Sequence, residues 1–320
     1  MQYLLLTIFL FGLIVIYFKI ADKYNIIDKP NHRSAHTEIT LRGGGVIFWF
    51  AALLYFVQNM LDNYFFFIGI TLVSLVSFWD DIQSLPNKIR VLTHFTAISL
   101  IFYFLNIFQL FPFWAIIIVY IMAIGIINAY NFMDGINGIT GLYTLSVLGV
   151  LVYLNQYIYT FINLDFIVYP IIASFVFLFF NYRKKAKCFA GDVGSISIAF
   201  WIIFLLLSLI LKTNTIIWIL FLAVYGVDTV CTIMHRLYLR QNIFEAHRLH
   251  FYQILSNEYK LPHRLVALIY ATAQAIISLL VIFLFQKVNE YQIFIIVLLP
   301  LISLYLLKFY FLHKINKVSI

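Results

Sequence analysis

Three short stretches gather carboxylates, amides and glycines in a chain otherwise poor in polar groups. SFWDDIQSLPNKIR holds Asp80 and Asp81, NAYNFMDGING holds Asn131, Asp134 and Asn137, and FAGDVGS holds Asp192. Such groups suit Mg²⁺, with Mn²⁺ an alternative; Mg²⁺ takes one or two carboxylates and completes its shell with water and phosphate oxygens. A Gly-Asp-x-Gly-Ser run before a helix would also point backbone N–H groups at an anion. Asn128, Asn131, Asp134 and Asn137 recur every third residue; on a helical turn they would share one face. Two further stretches are basic. RLYLRQNIFEAHRLHFYQIL carries His247, Arg248 and His250, and DKPNHRSAHTEITLRGGG carries His32, Arg33, His36 and Arg42 beside three glycines. His247 and His250 would share a helical face; zinc could use such a pair, but the neighbouring arginines favour an anion.

Each stretch also has a plainer reading: a solvated helix end, a polar turn, a helix cap, or a basic helix lying on lipid headgroups. What separates the readings is where the elements place these residues. Only 11% of the chain is charged and 64% is hydrophobic, with a mean hydropathy of +0.98. Soluble chains carry roughly 25% charged residues. Apolar runs of about 16–22 residues recur throughout, long enough to cross a bilayer as helices. Barrel strands would need alternating polar positions, which are missing. The expected class is an all-α, polytopic membrane protein, residues 1–320 forming a single transmembrane domain. The run Tyr3–Lys19 lacks a basic leader and a small-residue cleavage site, so it reads as a retained first helix. Cys188 and Cys231 have neither a disulfide-framework nor a zinc spacing.

About eleven helices are expected, near 3–20, 44–61, 64–80, 91–109, 112–128, 139–157, 166–181, 193–211, 215–234, 265–286 and 291–311. Loops 20–43, 81–90, 129–138, 182–192 and 235–264 then share one side with the C-terminus. Of 21 Lys and Arg, only Lys212 and Lys287 fall on the other side. The positive-inside rule makes the first side cytoplasmic, with the N-terminus outside. The net charge of +8 therefore reads as an orientation signal and implies no nucleic-acid partner.

Asp80, Asp81, Asp134, Asp192 and Asp228 all fall at or just inside cytoplasmic helix ends on this reading. Ionisable groups at such depths usually face a cavity or a partner, so a shared cytoplasmic cleft is expected. An ion-coupled transporter is the alternative, although transporter sites favour the bilayer midplane and repeated halves. A membrane metallohydrolase, with histidines as ligands, is a third reading.

In order along the chain, DKPNHRSAHT…RGGG, the helix-end DD, NAYNFMDGING, FAGDVGS and EAHRLHFYQ resemble the motifs of the polyprenyl-phosphate N-acetylhexosamine-1-phosphate transferases, glycosyltransferase family 4. The likeness spans about residues 22–255. The A-H-R-x-H-x-Y-Q loop resembles a branch that includes initiators of O-antigen units, and about eleven helices with a cytoplasmic C-terminus resemble the O-antigen and common-antigen initiators more than the ten-helix phospho-MurNAc-pentapeptide translocase. The chain departs in carrying Asn137 where relatives often have a second aspartate, and Ile39 and Leu41 where they carry prolines. The resemblance implies an Mg²⁺-dependent transfer of an N-acetylhexosamine 1-phosphate from a UDP-N-acetyl sugar to undecaprenyl phosphate, releasing UMP. It places the protein in a bacterial cytoplasmic membrane, among membrane lipids, with a homodimer an open option. It also implies roles: Asp192 for the metal; Asp80 and Asp81 for positioning or deprotonating the lipid phosphate; Asp134, Asn137 and Asn131 for the nucleotide side. His247, Arg248 and His250 would hold the diphosphate, with Asp228 in a supporting position; Arg42, read from its own loop, could hold a phosphate or simply satisfy the positive-inside rule.

Overall fold

In the computed structural model, residues 1–28, 39–59, 62–243 and 248–318 are described. The chain forms α1 (Gln2–Lys23), β1 (Ile27–Asp28), β2 (Thr40–Leu41), α2 (Val46–Gln58), α3 (Tyr64–Ile82), α4 (Asn87–Phe104), the single turn α5 (Ile107–Leu110) and α6 (Phe113–Met133). Next come α7 (Ile139–Tyr157), α8 (Asp165–Asn181), α9 (Gly191–Thr213), a 3₁₀ segment Ile216–Leu222 leading into α10 (Ala223–Tyr238), and the single turn α11 (Phe251–Gln253). A π-turn (Ile254–Glu258) precedes α12 (His263–Leu284) and α13 (Glu290–Val318). Among the described residues eight helical segments are long and apolar enough to cross a membrane; α2 and α8 are shorter and apolar. The all-α expectation needs one amendment. β1 and β2 pair antiparallel, Ile27 with Leu41 and Asp28 with Thr40, tying the loop before the glycines into a short ladder.

Helix α9 is the axis of the bundle: 83% of its apolar window is buried, against 22% for α6 and α13. Its sequence, apolar on every side, is what a fully enclosed helix requires. Phe66, Phe166, Phe200, Trp201 and Phe204 pack around its middle, and the indole N–H of Trp201 donates to the Phe166 carbonyl at 3.0 Å. Ser74 of α3 and Ser197 of α9 share a buried hydrogen bond of 2.7 Å, a short polar link typical of membrane helix contacts.

The expected helix at 215–234 is instead broken between Leu222 and Ala223. Unpaired backbone groups cannot face lipid, and Gln274 of α12 satisfies them. Its Oε1 accepts the Val224 N–H at 3.0 Å and its Nε2 donates to the Leu220 carbonyl at 3.1 Å. The Tyr143 hydroxyl completes the knot at 2.7 Å.

Two glycines set how closely the polar loops approach α9. A Cβ on Gly45 would land on Gly194 Cα, and one on Gly194 would meet Gly45 Cα. This contact seats the RGGG loop on the first turn of α9. Gly45→Ala should therefore destabilise the protein by about 1–3 kcal/mol, the usual cost of overpacking. The check is its thermal midpoint in detergent; a midpoint equal to the parent's would mean the crossing can open without cost.

Candidate active site

The polar loops are stitched together by their backbones. Gly44 N–H donates to the Phe189 carbonyl at 2.8 Å, Gly45 N–H to Ala190 at 3.0 Å, and Phe189 N–H to Leu41 at 2.8 Å. Asn181 joins a third loop: its Nδ2 donates to the Cys188 carbonyl at 2.8 Å and its Oδ1 accepts Gly138 N–H at 2.6 Å. Segments far apart in sequence are thereby held at one end of the bundle, and Arg42 is delivered to the acids.

Asp80 and Asp81 point different ways, as adjacent helical residues must. Asp81, its side chain fully buried, accepts the backbone N–H groups of Asp192 (2.9 Å) and Val193 (3.1 Å) and pairs with Arg42 Nε at 2.7 Å. The first-turn donors of α9, expected to meet a phosphate, are thus already engaged by a carboxylate. An anion at a helix N-terminus is favoured by both the dipole and the unpaired N–H groups, and Asp81 meets both demands. Gly191, at φ +70°, allows this because a Cβ there would collide with the Asp81 carboxylate.

Asp80 accepts Leu85 N–H at 2.5 Å and pairs with Arg90 Nη1 at 3.2 Å. Asp192 lies between both arginines, 3.6 Å from Arg42 and 3.7 Å from Arg90. Asp80 and Asn131 also lie within side-chain hydrogen-bonding reach of it. Arg90 lies outside the motifs that the sequence offers as site residues. The available signal was the basic pair in NKIR, opening a helix a few residues after the two acids. Burial opposes charge on Arg42, but Asp81 and Asp192 outweigh it and raise its pKa above the ordinary arginine value.

Asp192, Asn131 and Asn128 line a cleft of about 570 Å³ with Arg90 and His94 of α4, Thr229 and Arg236 of α10, and His250. The three-residue spacing of Asn128 and Asn131 does share a helical face, but it fails further on because α6 ends at Met133. Asp134 caps that end and accepts a short hydrogen bond from the Thr140 hydroxyl. Asn137 is buried and donates to the Arg183 carbonyl at 3.0 Å, so its side chain braces two loops against each other.

His250 is extended, at φ −64° and ψ 145°, just before α11. The helical face expected for His247 and His250 therefore does not extend to it; an extended residue lies off any such face. His247, like His32, Arg33 and His36, lies outside the described residues. Arg248 is half-buried. Asp228 holds this corner: it accepts from Phe251 N–H (3.1 Å), Tyr252 N–H (3.4 Å) and the Tyr270 hydroxyl (2.7 Å), and meets His250 Nδ1 at 3.1 Å. Arg236 supports the approach, donating to the carbonyls of Asn242 (2.5 Å) and Ile243 (3.1 Å).

Burial pushes the Asp134 carboxyl up to about 7, against the Thr140 hydrogen bond, with the Asp192 charge adding to the rise and Arg42 opposing it. A carboxyl raised above its unfolded value near 3.9 stabilises the fold fully below that value. The contribution fades as pH rises and is gone above about 7. With a chelator present, the thermal midpoint should fall between pH 5 and 7.5, Asp134 contributing on the order of 2–4 kcal/mol after allowance for partial exposure. Asp134→Asn should flatten that slope; an unchanged slope would show that Asp134 titrates normally.

Among the described residues no three His, Cys, Asp or Glu side chains converge as a metal cage. Mg²⁺ needs no such cage, since it keeps waters and shares substrate phosphates. Asp192, open to the cleft with Asp80 beside it, is a donor set that fits.

The fold and site together define a polytopic membrane protein whose acids and arginines meet in a cleft at one end of its bundle. Residues 63–210, just under half of the chain, match the model of glycosyl transferase family 4. The matched span includes α3 through most of α9, and with them Asp80, Asp81, Arg90, Asn131, Asp134 and Asp192. No curated protein matches the sequence.

Proposed function

We propose that the protein transfers an N-acetylhexosamine 1-phosphate, or a deoxy derivative, from a UDP-sugar to undecaprenyl phosphate on the cytoplasmic face of a bacterial inner membrane. On this reading eleven helices cross the bilayer, the C-terminus is cytoplasmic, and the product starts a lipid-linked surface glycan. The observation that carries it is the convergence of Asp192, Asp80, Arg42 and Arg90 beside a cleft that also reaches His250. Two anionic phosphates must be brought together, so charge compensation and positioning supply most of the rate.

An oxygen of the lipid phosphate attacks the β-phosphorus of the UDP-sugar. The bond from that phosphorus to the α–β bridging oxygen breaks, and UMP leaves with the electron pair. Arg90 and Arg42 offset the charge that builds on the transferring group. Asp80, held by Arg90 and by Leu85 N–H, lies on the acceptor side. His250 meets the diphosphate from the opposite wall. Asp81 and Asp134 hold the loops that carry these groups. Mg²⁺, held by Asp192 with Asp80, would neutralise phosphate charge when bound.

Incubating the purified protein with radiolabelled UDP-N-acetyl sugar, undecaprenyl phosphate and Mg²⁺ should yield a chloroform-soluble labelled product and free UMP. Label that stays in water across a panel of UDP-sugars would overturn the proposal.

A further inference from the structure

The last helix contributes a charge that the reaction scheme above does not use. Lys308 of α13 is fully buried in a segment apolar enough to span the membrane. A lysine at such a position is costly unless it finds partners. Its Nζ lies 2.5 Å from the Tyr305 hydroxyl and 3.4 Å from the Thr232 hydroxyl. Those two hydroxyls are 2.8 Å apart, and Thr232 Oγ1 lies 3.2 Å from Asp228 Oδ1. The same carboxylate oxygen meets His250 Nδ1.

The chemistry at the two ends fixes the direction of every bond between them. An ammonium only donates and a carboxylate only accepts. Tyr305 must therefore accept from Lys308, which leaves its own proton for Thr232. Thr232 in turn gives its proton to Asp228, the nearer acceptor at 3.2 Å, with the Leu249 carbonyl at 3.5 Å. Each donor polarises the next in an enclosed, low-dielectric setting. Asp228, with its other donors also in place, is held as a carboxylate and takes the Nδ1 proton of His250. That assigns the imidazole's tautomer and leaves Nε2 as the nitrogen able to meet a ligand in the cleft.

We propose that Lys308 is a positioning residue: through Tyr305 and Thr232 it fixes the Asp228 carboxylate that orients His250, so that the last helix is a working part of the site. The inference rests on the reading of His250 as a group that meets the diphosphate. Its network, however, can be tested without that reading. Loss of Lys308 would leave Asp228 short of compensating charge and free Thr232 to turn away, loosening the hold on the imidazole ring.

The test uses the full-length protein in detergent with Lys308→Met, Lys308→Arg, Asp228→Asn, His250→Ala and the double variants. In the transfer assay Lys308→Met should lower kcat about tenfold, as expected for a misplaced group at a phosphoryl-transfer site, with KM for the UDP-sugar changed less than about threefold. Lys308→Arg should recover most of the loss. In a His250→Ala background the lysine substitution should cost nothing more, because residues acting through one group are not additive. An undiminished tenfold loss in that background would overturn the inference. Thermal midpoints give the activity-independent arm. Asp228→Asn strands a buried ammonium and should lower the midpoint, and adding Lys308→Met should raise it again. Simple additivity there would sink the proposed link even if the transfer reaction is not found. An inactive parent protein with a coupled midpoint would instead fault the assigned function and leave the network standing.

Discussion

Asp192→Asn should abolish sugar-phosphate transfer, by on the order of 10³-fold or more, while leaving the thermal midpoint at or above that of the parent. The reasoning starts from where the charge lies. Asp192 sits in the first turn of α9, yet its own carboxylate caps nothing, because the N–H groups there go to Asp81. Its side chain is 14% exposed and faces two arginines at distances too long for tight pairing. Loose pairing is what a group displays when its strongest partner belongs to the reaction. Removing its charge takes one of three close carboxylates from a site with two guanidinium groups, which relieves repulsion and costs the fold little. On the proposed reading Asp192 acts through the Mg²⁺ it would hold, and losing that offset to the phosphate charge should cost at least the roughly two to three powers of ten lost when a single donor to a developing oxyanion is removed. Labelled product and melting curve are measured on the same preparation. Turnover within tenfold of the parent would remove Asp192 from the centre of the mechanism.

Much of this arrangement is legible in the sequence because polar residues are scarce. Carboxylates at several apolar-run boundaries, with nearly all the basic residues on the same side, already imply one polar end to the bundle. The helices follow from the apolar runs, but their ends do not: α4 stops at Phe104 where 109 is expected, and α6 runs on to Met133 where 128 is expected. Individual roles are another matter. The helix geometry predicts that Asp80 and Asp81 diverge, but Asp81's partners, Arg42 and the backbone at Asp192 and Val193, are announced by no local pattern. Asn137 reads as a ligand-facing amide, and its neighbour across the loop, the Arg183 carbonyl, is 46 residues on. The break before α10 is invisible in IIWILFLAVYGV because its cause, Gln274, lies on another helix. Lys308 reads as a helix-end charge until α10 and α13 are packed together. In each case the deciding contact is tertiary, so residue type and spacing could place the group at the site but not aim it.

Asp81→Ala should differ from Asp192→Asn in losing the fold along with the activity. Asp81 joins three separate pieces of chain: the end of α3, the RGGG loop through Arg42, and the start of α9. Truncating one member of a buried ion pair leaves its partner uncompensated, which typically costs about 3–5 kcal/mol. Losing a helix cap adds about 1 kcal/mol. Arg42 is partly exposed and can turn toward water or Asp192, and repulsion from the other acids is relieved, so the lower figure, about 3 kcal/mol, is the better expectation. In a chain of this size that corresponds to roughly 4–5 °C in the thermal midpoint. Asp81→Asn should fall between the two. An amide offers only one accepting oxygen where the carboxylate offers two, so its NH₂ group must face either a backbone N–H of α9 or the Arg42 guanidinium. Both contacts set donor against donor. Melting curves and transfer rates for the alanine and asparagine variants, taken beside Asp192→Asn, separate scaffold from chemistry. If Asp81→Ala melts with the parent yet transfers nothing, the carboxylate acts on the substrate, and the α9 contacts are incidental to its function.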